Sequence, residues 1–340
     1  MKQAKTLHMR RRRAATPRQM GFSLVELMVA LVLGLIVIGG VISIFLTNQQ
    51  AFRTTESLSR LQENARISFE LMAREIRQAG GNPCGTRFVS NVLNANDWST
   101  DWDAGTIIGF ESGTDATFRP TGTAVAQRVG GTDAIQVMGS AVGFSAGIAA
   151  HDAAAAQITL TASNASLAGA TVMLCDNTSA AIAQVSSVAG TNTIAFDTTA
   201  NCTTSFGFPP NCATPLTKTF SPGGYVSPLS TSFWYVGNNS RGGRSLYRES
   251  RGAGPEEIAE GVVDMQIQYL RGTSTGPGVF TPENDWVDAT PADDWTAAAV
   301  AQVVALRFTL TLETLNRVGT DQQPIQRDLI YVVNLRNRLE

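Results

Sequence analysis

Histidine is almost missing from this chain. Only His8 and His151 occur, too few for a histidine-based zinc site or a Ser-His-Asp triad within one chain. There is no HExxH, no nucleophile elbow and no phosphate-binding glycine loop ahead of a helix. Gly113, Gly130-Gly131 and Gly223-Gly224 read as isolated or paired turn glycines. No Cys-x-x-Cys pair is present, which argues against a metal knuckle or a thioredoxin-type motif. The adjacent acids Asp293-Asp294 lack catalytic company and read as a surface loop. The expectation is a protein that binds and does not catalyse, with no cofactor and no metal. Acid is missing from the first 21 residues, which carry Lys2, Lys5, Arg10, Arg11, Arg12, Arg13 and Arg18. Without them the chain keeps 19 basic against 28 acidic side chains, a net charge of −9. Such a chain is a poor candidate for bulk nucleic-acid binding. Arg241, Arg244, Arg248 and Arg251 could form a local basic patch, but a solvated, glycine-rich hairpin loop is the preferred reading.

Charge is also missing from residues 27–46, and here the absence is a signal. These 20 residues would make a helix of about 30 Å, the thickness of a bilayer's hydrocarbon core. The basic leader precedes them, so the positive-inside rule puts the N-terminus in the cytoplasm and the rest across the membrane. A secretory signal would be shorter and would end in a small-x-small site, and Thr47-Asn48-Gln49-Gln50 offers none. A plain anchor fits the length but leaves Gly21 and Glu26 unexplained. A carboxylate at the mouth of a membrane helix is expensive and needs a reason.

The segment Gly21-Phe22-Ser23-Leu24-Val25-Glu26-Leu27 resembles the type III signal of type IV pilins and type II secretion pseudopilins. The resemblance implies that a prepilin peptidase cuts after Gly21 and that Phe22 becomes an N-methylated terminus. It also implies that Glu26 faces the charged amine of a neighbouring subunit's Phe22. Physics supports the last role, because an unpaired carboxylate in hydrocarbon is costly or takes up a proton. The alternative is a Glu26 resting at headgroup level.

Leu58, Leu61, Ala65, Phe69, Met72 and Ile76 are spaced by three and four, one apolar helix face. Gly80-Gly81 and Pro83 should end that helix. The expected organisation is a leader at 1–21, a helix at 22–79 and a β-rich head at 80–340. The helix divides into a membrane part at 22–46 and an amphipathic part at 47–79. Gly34, Gly39 and Gly40 mark either a place of local bending on assembly or close helix packing. Strands are expected at 106–110, 134–138, 157–160, 171–174, 181–188 and 193–196. In the last third, Val263, Met265, Ile267 and Tyr269 alternate with polar residues, as do Val304, Leu306, Phe308, Leu310 and Leu312. Leu329, Tyr331, Val333 and Leu335 give a third such face. Phe233-Trp234-Tyr235-Val236 and Ser245-Leu246-Tyr247-Arg248 read as a hairpin across a Gly/Asn turn. The fold class is α+β, a pilin-like long helix packed on a mainly antiparallel sheet.

Cys84, Cys175, Cys202 and Cys212 all follow the span, and an even count there fits one or two disulfides. Three full pairings exist. Cys202 with Cys212, stapling the Pro209-Pro210 loop, and Cys84 with Cys175 are preferred; free buried thiols are the alternative.

Several pieces in order are similar to PilW-type minor pilins of type IV pili. They are residues 133–138, the 233–248 hairpin, residues 260–269, residues 303–308 and the closing Val333-Asn334-Leu335-Arg336-Asn337-Arg338. That resemblance implies other minor pilins and the major pilin as partners, and a complex that primes or tips a pilus. Twitching motility, adhesion and DNA uptake would lie downstream. One departure stands out: residues 270–278 replace an expected Asp/Asn-rich loop. The later acids Glu283, Asp285, Asp288, Asp293 and Asp294 lack calcium-loop spacing and read as a solvated loop. A minor pseudopilin and a membrane-anchored periplasmic hydrolase remain the alternatives.

Overall fold

A computed structural model describes residues 21–86, 88–114, 116–141, 145–163, 165–276, 279–290, 293, 295–296, 301–319 and 321–335. Residues 1–20 of the 1–21 leader, with Pro277, Gly278, Asp294, Arg336, Asn337 and Arg338, lie outside them. Contacts cluster into two units, Met1–Thr55 and Glu56–Glu340.

Helix α1 (Leu24–Ile76) crosses the boundary between the units in sequence. In the first unit its apolar side chains are exposed. In the second unit it buries Ser57, Leu61, Ala65, Ser68, Met72, Ala73 and Ile76. The expected face is thus real from Leu61 onward, widened by two serines. Ser68 is tolerable there because its hydroxyl donates to the Asn64 carbonyl one turn back (2.7 Å). The chain leaves α1 through a turn that ends at Gly80. Gly80 has φ +72°, the left-handed cap geometry that glycine adopts without strain. Its N–H donates to the Met138 carbonyl (2.9 Å), which ties the helix end to the sheet.

Among the described residues sixteen strands follow. They are β1 (Val89–Asn91), β2 (Ile107–Phe110), β3 (Ala134–Ser140), β4 (Ala146–Asp152), β5 (Gln157–Leu160), β6 (Thr171–Cys175), β7 (Ala180–Gln184) and β8 (Ser187–Ala189). After these come β9 (Thr193–Ala195), β10 (Tyr225–Asn238), β11 (Arg244–Ser250), β12 (Pro255–Glu260), β13 (Val262–Gly276), β14 (Val279–Asp288), β15 (Ala301–Glu313) and β16 (Gln326–Asn334). Apart from the parallel β1–β7 pair, the pairings between these described strands are antiparallel.

Strand β10 organises the larger sheet. Its first residues pair with β4 and β6, and its later residues pair with β3 and β11. A second sheet runs β14-β13-β15-β16. The α1 face, the β3/β10/β11 region and the second sheet share one core around Met72, Ile76, Trp234, Tyr269, Leu306, Phe308 and Val333. Another core, around Ile158, Leu174, Phe206 and Phe220, fills the β4–β9 region.

The pattern of expected strands needs three corrections. The 181–188 stretch divides into β7 and β8, because its first part pairs with β6 and its last part with β9. Strands β1, β4 and β12 arise where composition hid them: β4 is Ala/Gly-rich and β12 carries Glu256, Glu257 and Glu260. Finally, residues 270–276 and Glu283, Asp285 and Asp288 do not form a solvated loop. They lie in β13 and β14, which pair from Gln268↔Asp288 to Gly276↔Val279 through two register shifts, with Glu283 and Asp285 in the bulged stretch between Trp286 and Pro282.

Candidate functional site

The start of α1 is built from three residues. Ser23 is its N-cap. Its carbonyl accepts from the Leu27 N–H (3.1 Å) and its Oγ from the Glu26 N–H (3.4 Å). Ser23-x-x-Glu26 therefore has capping-box spacing, a signal that reading Glu26 only for its charge overlooks. A carboxylate in the first turn also meets the positive end of the helix dipole. The Glu26 side chain has no hydrogen bond or ion pair of its own among the described residues. Phe22, the residue after Gly21, is 81% exposed.

Beyond Glu26, large apolar side chains stay exposed to Leu46, among them Leu31, Leu35, Ile38, Ile42 and Phe45. Among the described residues one helix is long and apolar enough to cross a membrane, and it is this one. The glycines leave α1 unbroken: a Cβ at Gly34, Gly39 or Gly40 would meet nothing within 4 Å. Their smallness therefore serves nothing inside the described chain.

The far end of α1 is anchored by a residue that periodicity did not single out. Glu75 Oε2 accepts from Ser232 Oγ (2.5 Å) and Trp234 Nε1 (2.8 Å), and Oε1 accepts from Arg248 (3.0 Å). Arg248 also bonds Glu256. Arg241 holds Glu257 and Glu260, and Arg244 donates to the Val263 carbonyl. The arginine-rich hairpin is thus not a loosely solvated loop. It is paired with acids that β12 brings alongside β11. Arg251 lies just past β11, where its N–H donates to the Thr231 carbonyl.

Disulfides join Cys84 to Cys175 and Cys202 to Cys212. His151 accepts from the Phe220 N–H through Nδ1 (2.9 Å), and burial pushes its pKa down. It is a neutral packing group in β4. Asp176 is buried, yet Lys218, Thr178 and Ser221 donate to it and hold its carboxyl well below the usual range.

Under the second sheet, buried Asp133 accepts from the Ile267 N–H (2.8 Å). Burial, with Glu111 nearby, raises its carboxyl to about 7. Arg128 fills the same region, its guanidinium donating to the carbonyls of Phe110, Glu111, Thr114 and Thr132. These carbonyls enclose the cation and leave it as a structural strut. Among the described residues no group of three or more His, Cys, Asp or Glu side chains could hold a metal ion.

The family model of the prokaryotic N-terminal methylation motif matches residues 17–42. No curated protein and no solved structure matches the chain.

Proposed function

We infer that this chain is a minor pilin of a type IV pilus, similar to the PilW type, made as an inner-membrane precursor. Prepilin-motif proteins are type IV pilin-like subunits or pseudopilins and are generally structural, not enzymes. The carrying observation is the junction of that motif with a capped helix whose first half keeps its apolar surface exposed. Exposed apolar surface on this scale needs lipid or other helices to cover it.

In this reading a prepilin peptidase cuts after Gly21 and Phe22 is N-methylated. The new ammonium of one subunit pairs with the Glu26 carboxylate of the next, which supplies the partner that Glu26 lacks among the described residues. Gly34, Gly39 and Gly40 let neighbouring helices approach closely. The N-terminus is cytoplasmic and the head periplasmic before assembly, and the subunit then enters the pilus. There it joins other minor pilins and the major pilin in the complex that primes or tips the filament. The similarity of the β-strand pieces to PilW-type subunits favours this role over a pseudopilin of a secretion system. Twitching motility and adhesion follow from the filament.

The test is fractionation. Sheared surface filaments should contain the chain when prepilin peptidase is active, and the chain should stay in the inner membrane when the peptidase is deleted. Equal amounts in the filaments of both strains would refute the assignment.

A further inference from the structure

The open sheet edges of this molecule are not alike. An unpaired edge offers backbone N–H and C=O groups to any extended chain, and proteins blunt such edges by shortness, proline, charge or bulges. In the larger sheet, β1 and β8 have three residues each and β2 has four. Strand β12 opens with Pro255, carries Glu256 and Glu257, and meets β11 across a register shift. In the second sheet, β14 contains Pro282, Glu283 and Asp285 and pairs through two register shifts.

Strand β16 has none of these devices over its second half. It is nine residues long, pairs with β15 without any register shift, and ends Leu329-Ile330-Tyr331-Val332-Val333-Asn334.

The hydrogen bonds fix which groups are free. The Leu335 N–H donates to the Val304 carbonyl, and the Thr314 N–H donates to the Ile325 carbonyl. Both pairs keep the register of β15 with β16. In an antiparallel ladder, bonded residues recur at every second position. Odd-numbered residues of β16 therefore turn their backbone toward β15. Asp328, Ile330, Val332 and Asn334 turn theirs to the open side, where no described residue meets them. Ile330 is 65% exposed and Val332 50%, on a face whose β15 neighbours include Arg307, Thr309 and Thr311. An edge that is long, regular, β-branched and unprotected fits a strand supplied from outside.

The surroundings indicate the charge of that strand. On the helix side Phe69 stacks on Tyr331 (4.1 Å between ring centres). A cavity of about 530 Å³ lined by Phe69, Glu70, Arg74, Arg77 and Gln78 opens there. Glu70 is ion-paired with Arg66, and Asp328 accepts from the Thr311 hydroxyl but keeps its charge. Arg74, Arg77 and Arg327 have no carboxylate partner among the described residues, unlike Arg60, Arg66, Arg119, Arg241, Arg248 and Arg271. Against the single carboxylate of Asp328, these three unpaired arginines leave the balance of charge around the edge positive.

We propose that β16 is an acceptor for β-strand addition, taking an extended acidic segment of a partner protein as the fifth strand of the second sheet. Backbone bonds to the even-numbered residues of β16 hold the segment. Its apolar residues cover Ile330 and Val332, and its carboxylates meet Arg74, Arg77 and Arg327.

The test uses the full chain in detergent and a fluorescent peptide of alternating Glu and Val, with alternating Lys and Val as control. Anisotropy should show saturable binding of the acidic peptide, with the basic one at least roughly tenfold weaker. Hydrogen exchange should slow at Ile330 and Val332 when the acidic peptide binds. Val332→Pro removes an outward N–H without touching the β15 ladder, and should abolish binding while the melting temperature stays near that of the parent. Val332→Glu keeps the N–H, repels an acidic strand and should weaken binding too, which covers a proline variant that fails to fold. Absence of acidic-peptide binding, protection at another edge instead of β16, or equal binding by a well-folded Val332→Pro would overturn the proposal.

Discussion

Glu26 does two jobs at the residue scale. Its N–H completes the Ser23 cap, and its carboxylate, without a partner among the described residues, is the group proposed to meet a neighbouring subunit. Replacing the side chain separates them, because alanine keeps the N–H. Glu26→Ala should therefore leave α1 and the leader cut intact but reduce the chain in sheared filaments several-fold. Immunoblots of sheared and membrane fractions would show it, and unchanged incorporation would remove the charge-pairing role. Asp133 makes a different prediction. Its pKa stands near 7 folded against an ordinary 3.8, so the folded state holds the proton more tightly. The group costs nothing below its ordinary value and costs progressively more as pH rises through about 7. Asp133→Asn keeps an oxygen for the Ile267 N–H. Thermal melts should then show the variant gaining on the parent at about pH 8 and the gain vanishing near pH 4. A pH-independent difference would refute the raised pKa.

Individual elements show how much could be read in advance. The α1 face was legible because spacings of three and four survive in Leu61, Ala65, Phe69, Met72 and Ile76, and its end was legible because Gly80 must take a positive φ. Strands β13, β15 and β16 were legible because each buries one face and wets the other. Strand β4 has no such contrast, and β12 and β14 hide behind their acids: edge strands carry charge that reads as loop. The Ser23 cap was open to inspection in the Ser-x-x-Glu spacing. Glu75 was not, since its three partners come from Ser232, Trp234 and Arg248, far along the chain. Losing that carboxylate leaves a buried indole N–H and a cation short of an acceptor. Glu75→Ala should cost about 2–4 kcal/mol in denaturant melts; a loss below about 0.5 kcal/mol would contradict it. The two disulfides close loops of very different length, with separations of 91 and 10 residues. In the chain-entropy account, Cys84→Ser with Cys175→Ser should cost ~4.5 kcal/mol and Cys202→Ser with Cys212→Ser ~3 kcal/mol. Reversal of that order would count against loop length as the dominant factor.

At the scale of the whole molecule, the described chain divides its surface chemistry. The first unit offers a helix whose apolar side chains are exposed through the membrane-length run, with one free carboxylate at its start. The second unit buries its helix face and ties its exposed arginine hairpin into ion pairs. Among the described residues the exposed apolar half of α1 takes no part in a buried core, whereas the proposed filament subunit would use it. This division carries the claim that the chain is processed and assembled, and the claim rests on a cut after Gly21. The most direct measurement is mass spectrometry of the mature N-terminus from cells with active prepilin peptidase. The account predicts a terminal peptide beginning at Phe22 and carrying one N-methyl group. A chain still beginning at Met1, or one cut after Leu46, would contradict it.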